Sequence, residues 1–115
     1  MRRDTLERDK NDTRRSTRLS RQIAITITSL DPARDFRVEC ETVVVNAHGC
    51  GVIVREQLDK DTLVTVMLVS NGRSKKGRVV LRIPFNENAS WLTGLEFESP
   101  SNFWGIENPP ADWPV

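Results

Sequence analysis

The stretch Leu63-Val-Thr-Val-Met-Leu-Val69-Ser-Asn-Gly72 indicates the fold more directly than any other part of the sequence. Its first seven residues are rich in branched aliphatic side chains, which is typical of a β-strand. Asn71-Gly72 follows, and both residues accept the positive φ that a tight hairpin turn requires. Residues 78–84 are again mostly apolar, so we expect them to return antiparallel to the first strand.

Similar segments lie on both sides of this hairpin. Ile23, Ile25 and Ile27 alternate with Ala and Thr, a pattern typical of a half-buried strand. Asp31-Pro32 predicts a turn, since proline cannot pair within a central strand. The predicted strands are residues 23–28, 36–45, 51–55, 63–69, 78–84 and 91–97. Six short strands in about 75 residues favour an all-β domain, either a small antiparallel barrel or a sandwich.

The length of 115 residues suits one domain. Residues 1–21 hold eight basic and four acidic residues, whereas the rest holds nine basic and twelve acidic ones, so the chain begins with a cationic arm. We expect residues 1–12 to be a disordered leader, residues 13–106 to be the folded domain and residues 107–115 to be an irregular, proline-rich tail. Residues 102–106 predict a short helical turn that covers one end of the barrel.

The composition argues against several classes of protein. No apolar run approaches the ~18 residues of a membrane-spanning helix, and the basic start lacks the apolar core of a signal peptide. We therefore expect a cytoplasmic protein with no membrane span. Cys40 and Cys50 are not at metal-ligand spacing, so we expect free thiols and neither a metal site nor a cofactor.

Two polar motifs stand out from the strands. The first is Arg14-Arg15-Ser16-Thr17-Arg18 in the arm, and the second is Asn46-Ala47-His48-Gly49-Cys50-Gly51, which predicts a turn after the second strand. Arginine pairs bidentately with the O6/N7 edge of guanine and neutralises phosphate. Because nucleophile, paired-carboxylate and phosphate-loop signatures are missing, we do not expect an enzyme.

Together the two motifs resemble the signature of the PilZ domain, the bacterial receptor module for cyclic di-GMP. That signature is RxxxR, then some twenty to thirty residues, then [D/N]xSxxG. Arg14 and Arg18 match the first half, Asn46 and Gly51 match the second, and His48 stands at the serine position. The ending Trp91-Leu-Thr-Gly-Leu-Glu-Phe97 also resembles the family's last strand.

The resemblance implies a six-stranded antiparallel Greek-key barrel with a flexible basic arm that folds over cyclic di-GMP. Arg14 and Arg18 would contact guanine edges and phosphates, and Asn46 would hydrogen-bond a guanine edge. Arg15 would support them at a phosphate, His48 would hydrogen-bond or stack on a purine, and Gly51 would supply clearance. An unidentified effector protein would then receive the signal, since the sequence offers no output domain.

Three alternatives remain open at this point. Asn46 to Gly51 could be a plain hairpin turn, since Asn and Gly are common turn residues. His48 could block the pocket, which would leave a degenerate PilZ domain that acts as a protein-interaction adaptor. A β-barrel that binds RNA through the basic arm is disfavoured, because the presumed barrel is net negative and lacks interleaved aromatic residues.

Overall fold

A computed structural model describes residues 16–87 and 89–114 of the chain. Arg14, Arg15 and the predicted leader at residues 1–12 lie outside these residues. Within the described part there are six strands and no helix. The strands are β1 (Ala24–Ser29), β2 (Arg37–Asn46), β3 (Gly49–Val54), β4 (Leu63–Leu68), β5 (Ser74–Phe85) and β6 (Ser90–Phe97).

The six strands form a closed antiparallel barrel in the order β1-β2-β3-β6-β5-β4. β4, β5 and β6 are joined consecutively, and β3 lies beside β6, which makes a Greek key. The all-β class and the six-stranded barrel are therefore confirmed. Among the described residues no helical segment has the length and apolar character needed to cross a membrane.

The β4–β5 hairpin follows the expectation from Asn71-Gly72. Gly72 has a φ of 76°, and its N–H donates to the Leu68 carbonyl at 2.8 Å. The Asn71 side-chain oxygen accepts from the Arg73 N–H at 2.9 Å, so asparagine stabilises the turn through its own side chain.

The β2–β3 connection is tighter than the sequence predicts. We expected a turn from Asn46 to Gly51, but β2 continues to Asn46 and β3 already begins at Gly49. Only Ala47 and His48 form the turn. Gly51 is a strand residue that pairs with Val44 on one side and Gly94 on the other. Gly51 therefore lies within a strand and not in a turn, and a Cβ there would meet the side chain of Val44 at 3.0 Å.

Branched aliphatic side chains fill the barrel, and aromatic residues close one end. Phe97, Phe103 and Trp104 pack with ring centroids 5.2–5.6 Å apart. Trp104 and Trp113 are both buried and act as packing anchors. The core contains Ile25, Ile27, Val38, Val45, Val52, Val54, Leu58, Val64, Val66, Leu68, Val79 and Leu95.

The segment after β6 forms turns only. The predicted helical turn at residues 102–106 is a single hydrogen-bonded turn, in which the Gly105 N–H donates to the Asn102 carbonyl at 3.2 Å. The Asn102 side chain bonds both the N–H and the carbonyl of Ile106. The proline-rich tail has no strand or helix up to residue 114, where its description ends, yet it packs against the domain through Trp113.

Gly49 marks the closest approach between two strands. A Cβ atom at this position would lie 1.9 Å from the carbonyl oxygen of Leu95 on β6. That oxygen belongs to the backbone of a core strand, so it cannot rotate away as a flexible side chain would. The β2–β3 hairpin can lie against β6 only because residue 49 has no side chain.

We predict that Gly49→Ala lowers the free energy of unfolding by about 3 kcal/mol or more, since the backbone of β3 or β6 must move. The melting temperature measured by calorimetry should fall by more than about 10 °C. Gly72→Ala is the control: Gly72 has positive φ but open space around a Cβ, so it should cost about 1 kcal/mol. An equal or smaller effect at Gly49 would contradict the close-approach argument.

Candidate ligand-binding groove

A groove of about 250 Å³ lies on the outer surface of β3 and β6. Val52 and Leu95 point into the core, so their strand neighbours Gly51 and Gly94 face outward. These two glycines pair directly across the strands. The floor of the groove is therefore backbone without side chains, half-buried at Gly94 and buried at Gly51.

Apolar side chains form the walls of this groove. A Cβ at Gly51 would meet Cγ1 of Val44 at 3.0 Å, and one at Gly94 would meet Cβ of Leu81 at 3.0 Å. Leu92 also lines the space. The register shifts between Thr42 and Val44 on one side and between Val79 and Leu81 on the other, as at β-bulges, which bend and twist the strands that carry them. A flat floor with apolar walls suits a planar ring.

Polar residues from three segments line the rest of the groove. Arg18 comes from the arm, Asn46 and His48 come from the β2–β3 hairpin, and Glu96 comes from β6. The structure thus brings Arg18, Asn46, His48 and Gly51 to one groove. Arg14 and Arg15, the other predicted site residues, lie outside the described residues.

The described part of the arm lies against the hairpin. Leu19 and Val45 exchange two backbone hydrogen bonds, at 2.8 and 2.9 Å. Ser16 is buried, and its hydroxyl accepts from the Ala47 N–H at 3.2 Å. We expected a flexible arm, but from Ser16 onward it has fixed partners on the barrel. Arg18 is held between these two attachment points.

Asn46 acts first as a turn residue. Its side-chain carbonyl accepts from the His48 N–H at 2.8 Å, which is an Asx-turn. This side-chain oxygen therefore stabilises the turn, whatever contact Asn46 makes with a ligand. None of the hydrogen bonds among the described residues uses the side-chain NH₂ of Asn46 as a donor. Asn46 would therefore meet a ligand as a donor.

The carbonyl groups of the turn are held by the last residue of β6 and by the segment that follows it. The His48 carbonyl accepts from the Phe97 N–H at 2.7 Å, and the Ala47 carbonyl accepts from the Ser101 N–H at 3.0 Å. The indole N–H of Trp104 donates to the Asn46 carbonyl at 2.9 Å. The hairpin is therefore a rigid platform. A buried tryptophan needs a partner for its N–H, but the sequence does not show which carbonyl provides it.

His48 is attached to the arm by its side chain. Nδ1 lies 3.2 Å from the hydroxyl oxygen of Ser16, so the imidazole is oriented on its arm side while it still lines the groove. The histidine at the motif's serine position therefore has a serine hydroxyl as its neighbour. This neighbour comes from the arm, and no pattern in the sequence indicates the contact.

Glu96 is a groove residue that sequence reasoning missed. It pairs with Gly49 across β3 and β6, and Oε1 accepts from Arg78 Nη2 at 3.3 Å. Its side chain is 34% exposed, so the carboxylate remains accessible beside Arg78. The signal was the acidic residue in the Gly-Leu-Glu-Phe ending, which we treated as a strand pattern only.

Burial keeps both cysteine thiols protonated. Burial, with a smaller contribution from Glu56, raises the pKa of Cys40 from 9.0 to about 11. Cys50, which lines the groove, also has its pKa raised above the ordinary value, by burial and then by Cys40. Neither thiol forms a disulfide. The described residues contain no group of three His, Cys, Asp or Glu side chains that could hold a metal ion.

Comparison of the sequence with models of known protein families and with curated proteins finds no match. The assignment of function therefore rests on the groove and on the two motifs.

We predict that iodoacetamide labels Cys40 at least about tenfold more slowly in the folded protein than in guanidinium at pH 8. Raising the thiol pKa from 9.0 to about 11 lowers the thiolate fraction about a hundredfold, and the higher nucleophilicity of that thiolate offsets part of this. The labelling rate of the folded protein should keep rising with pH above 9, where that of the unfolded protein levels off.

Mass spectrometry of Cys50→Ala and Cys40→Ala, which leave one thiol each, assigns the two rates. Equal labelling of folded and unfolded protein would show that these thiols are not buried.

Proposed function

We propose that this protein is a cytoplasmic receptor that binds cyclic di-GMP in the groove between β3 and β6 and relays the signal to a separate partner protein. One observation carries the proposal: Arg18 of the arm lines the same groove as Asn46, His48 and Gly51. Residues 19–45 separate the two halves of the motif in the sequence, yet residues from both halves line the same groove.

The glycine floor supports a site for a guanine base. A planar base can lie flat on the backbone of Gly51 and Gly94, because neither position has a side chain to hold it away. Val44, Leu81 and Leu92 provide apolar contact around it. This combination, a mostly apolar concave surface with a few polar groups, is typical of small-molecule sites.

The polar groups complement the two ends of a guanine nucleotide. Arg18 offers a fork of donors for O6 and N7 or for a phosphate, and the Asn46 NH₂ adds another donor. Glu96 offers carboxylate oxygens, which accept from the N1 and N2 donors of guanine. The doubly anionic ligand favours the arm end of the groove, where the expected partners Arg14 and Arg15 would add charge.

A binding role fits these residues better than catalysis does. Ser16 and His48 are within hydrogen-bond distance, as a nucleophile and a base would be. However, Ser16 is only 5% exposed, and its hydroxyl also accepts from the Ala47 N–H. A hydroxyl that is buried and engaged in this way holds the arm in place and cannot reach a substrate.

RNA binding is less well supported by the same groove. Stacking platforms for single-stranded nucleic acids use exposed aromatic rings along a basic surface. Among the described residues that line the groove, none is Phe, Tyr or Trp, and Glu96 adds negative charge. The site therefore favours one small nucleotide over a polymer.

A second candidate function follows from His48. An imidazole is larger than the serine side chain of the PilZ signature, and it lines the groove. If it excludes the base, the domain is an adaptor that binds a protein partner without cyclic di-GMP. Replacing His48 by Ser distinguishes the two functions.

We predict that calorimetric titration with cyclic di-GMP gives saturable binding to the wild type. Arg18→Ala should weaken it roughly 5- to 150-fold, because a bidentate arginine–guanine pair contributes about 1–3 kcal/mol. Arg14→Ala should have a similar effect. His48→Ser should leave the affinity unchanged or improve it.

Arg21→Ala is the matched control. Arg21 is an exposed arginine of the same segment, its guanidinium donates to the neighbouring Ser20 carbonyl, and it does not line the groove. Its loss should change the affinity less than about twofold. Absence of binding at roughly 100 μM ligand would refute the receptor, since even a 1 μM site is saturated there. Binding that appears only in His48→Ser would establish the adaptor.

A further inference from the structure

The C-terminal tail holds the residue next to Arg18. Thr17 donates from its N–H and from its hydroxyl to the same oxygen, Oδ2 of Asp112, each at 2.9 Å. The indole N–H of Trp113 donates to the Thr17 carbonyl at 2.8 Å. Both main-chain polar groups of Thr17 are therefore paired with the tail, some 95 residues away in the sequence.

The tail is itself anchored, so it can act as the fixed side of this contact. Trp113 is only 3% exposed and belongs to the core cluster. Its main-chain N–H donates to the Pro110 carbonyl at 3.0 Å, which closes a turn just before it. Asp112 is exposed, but its neighbour in the chain is buried. The carboxylate is thereby presented to the arm at a defined place.

The attachments of the arm alternate between two partners. Ser16 and Leu19 bond the β2–β3 hairpin, and Thr17 bonds the tail. Arg18, the remaining residue of this run, lines the groove. Loss of the tail contact would leave residues 16–19 attached on the hairpin side only, and the Arg18 guanidinium would then occupy a wider range of positions.

We propose that Asp112 and Trp113 are positioning residues, which clamp Thr17 and thereby keep Arg18 in the groove before any ligand arrives. The identity of the ligand in this inference rests on the proposed function, whereas the clamp is a property of the free protein. An arginine that is already held in the groove loses less conformational freedom on binding than a mobile one. Asp112 and Trp113 should therefore increase the affinity although they do not contact the ligand.

The first test measures amide hydrogen exchange in the protein without ligand. In Asp112→Ala, the Leu19 amide, which bonds Val45, should exchange about tenfold faster, because the arm opens locally more often. The amides of β4 serve as the internal reference and should not change. Asp112→Asn keeps an oxygen acceptor for Thr17 and should retain most of the protection. Trp113→Phe keeps a buried ring but removes the indole donor, so it should also accelerate exchange of the Leu19 amide.

Glu107→Ala is the control for charge. Glu107 is an exposed acid of the same tail, and its removal changes the net charge as Asp112→Ala does. It should leave the exchange of Leu19 unchanged. Faster exchange of Leu19 and β4 by the same factor would indicate general destabilisation and overturn the clamp, and so would unchanged exchange at Leu19 in both Asp112→Ala and Trp113→Phe.

The second test is a double-mutant cycle of cyclic di-GMP binding. Asp112→Ala should weaken binding about tenfold in the wild-type background, but less than about twofold in the Arg18→Ala background, because it acts through that arginine. Equal losses in both backgrounds would overturn the link to Arg18. If the wild type does not bind cyclic di-GMP, the ligand is wrong, and the exchange experiment still decides the clamp.

Discussion

The site depends on the two-residue turn between β2 and β3. In this turn and just before it, the carbonyls of Asn46, Ala47 and His48 all accept from residues 97–104. Its N–H groups are paired as well, with Ser16 and with the Asn46 side chain. Buried backbone polar groups must find partners, so this turn forces the arm, the hairpin and the chain after β6 to meet at one end of the barrel.

The groove exists because residues are small where a barrel normally presents side chains. Gly51 and Gly94 leave a strip of bare backbone, and Gly49 lets the hairpin reach β6. Glycine in a strand lowers stability, since it gains nothing from cross-strand packing. Closure of the barrel and the aromatic cluster at its end offset that loss. The rest of the barrel thereby stabilises a groove whose glycines lower the stability of their own strands.

Local patterns predicted most of the fold. Alternating isoleucines and the Asn71-Gly72 turn are short-range signals, and each of the six predicted strands overlaps a strand of the barrel. The predicted limits of β3 were wrong because glycine has two roles, one in turns and one where two backbones approach closely. Sequence could not distinguish them, since the second role depends on Leu95, which lies far along the chain.

The site was only partly predictable for the same reason. Arg18, Asn46, His48 and Gly51 were found through the spacing of two motifs, and the structure brings them to one groove. The hydrogen bonds of Ser16, Trp104 and Asp112 join residues 30 or more positions apart, and no local pattern indicates them. Glu96 was not predicted as a site residue because an acidic residue on a strand is ordinarily a solvated surface residue.

These long-range bonds also change what a ligand must supply. Ordering a free arm would cost about 1–2 kcal/mol of backbone entropy for each residue fixed. Residues 16–19 are already ordered by contacts with the hairpin and the tail. The free energy of ligand contacts there would therefore not be reduced by the entropy cost of ordering the chain. On the proposed function, binding would change the surface mainly by filling the groove beside the exposed Leu81 and by fixing the side chains around it. A partner protein that responds to the signal would accordingly recognise the occupied groove itself, together with its apolar wall.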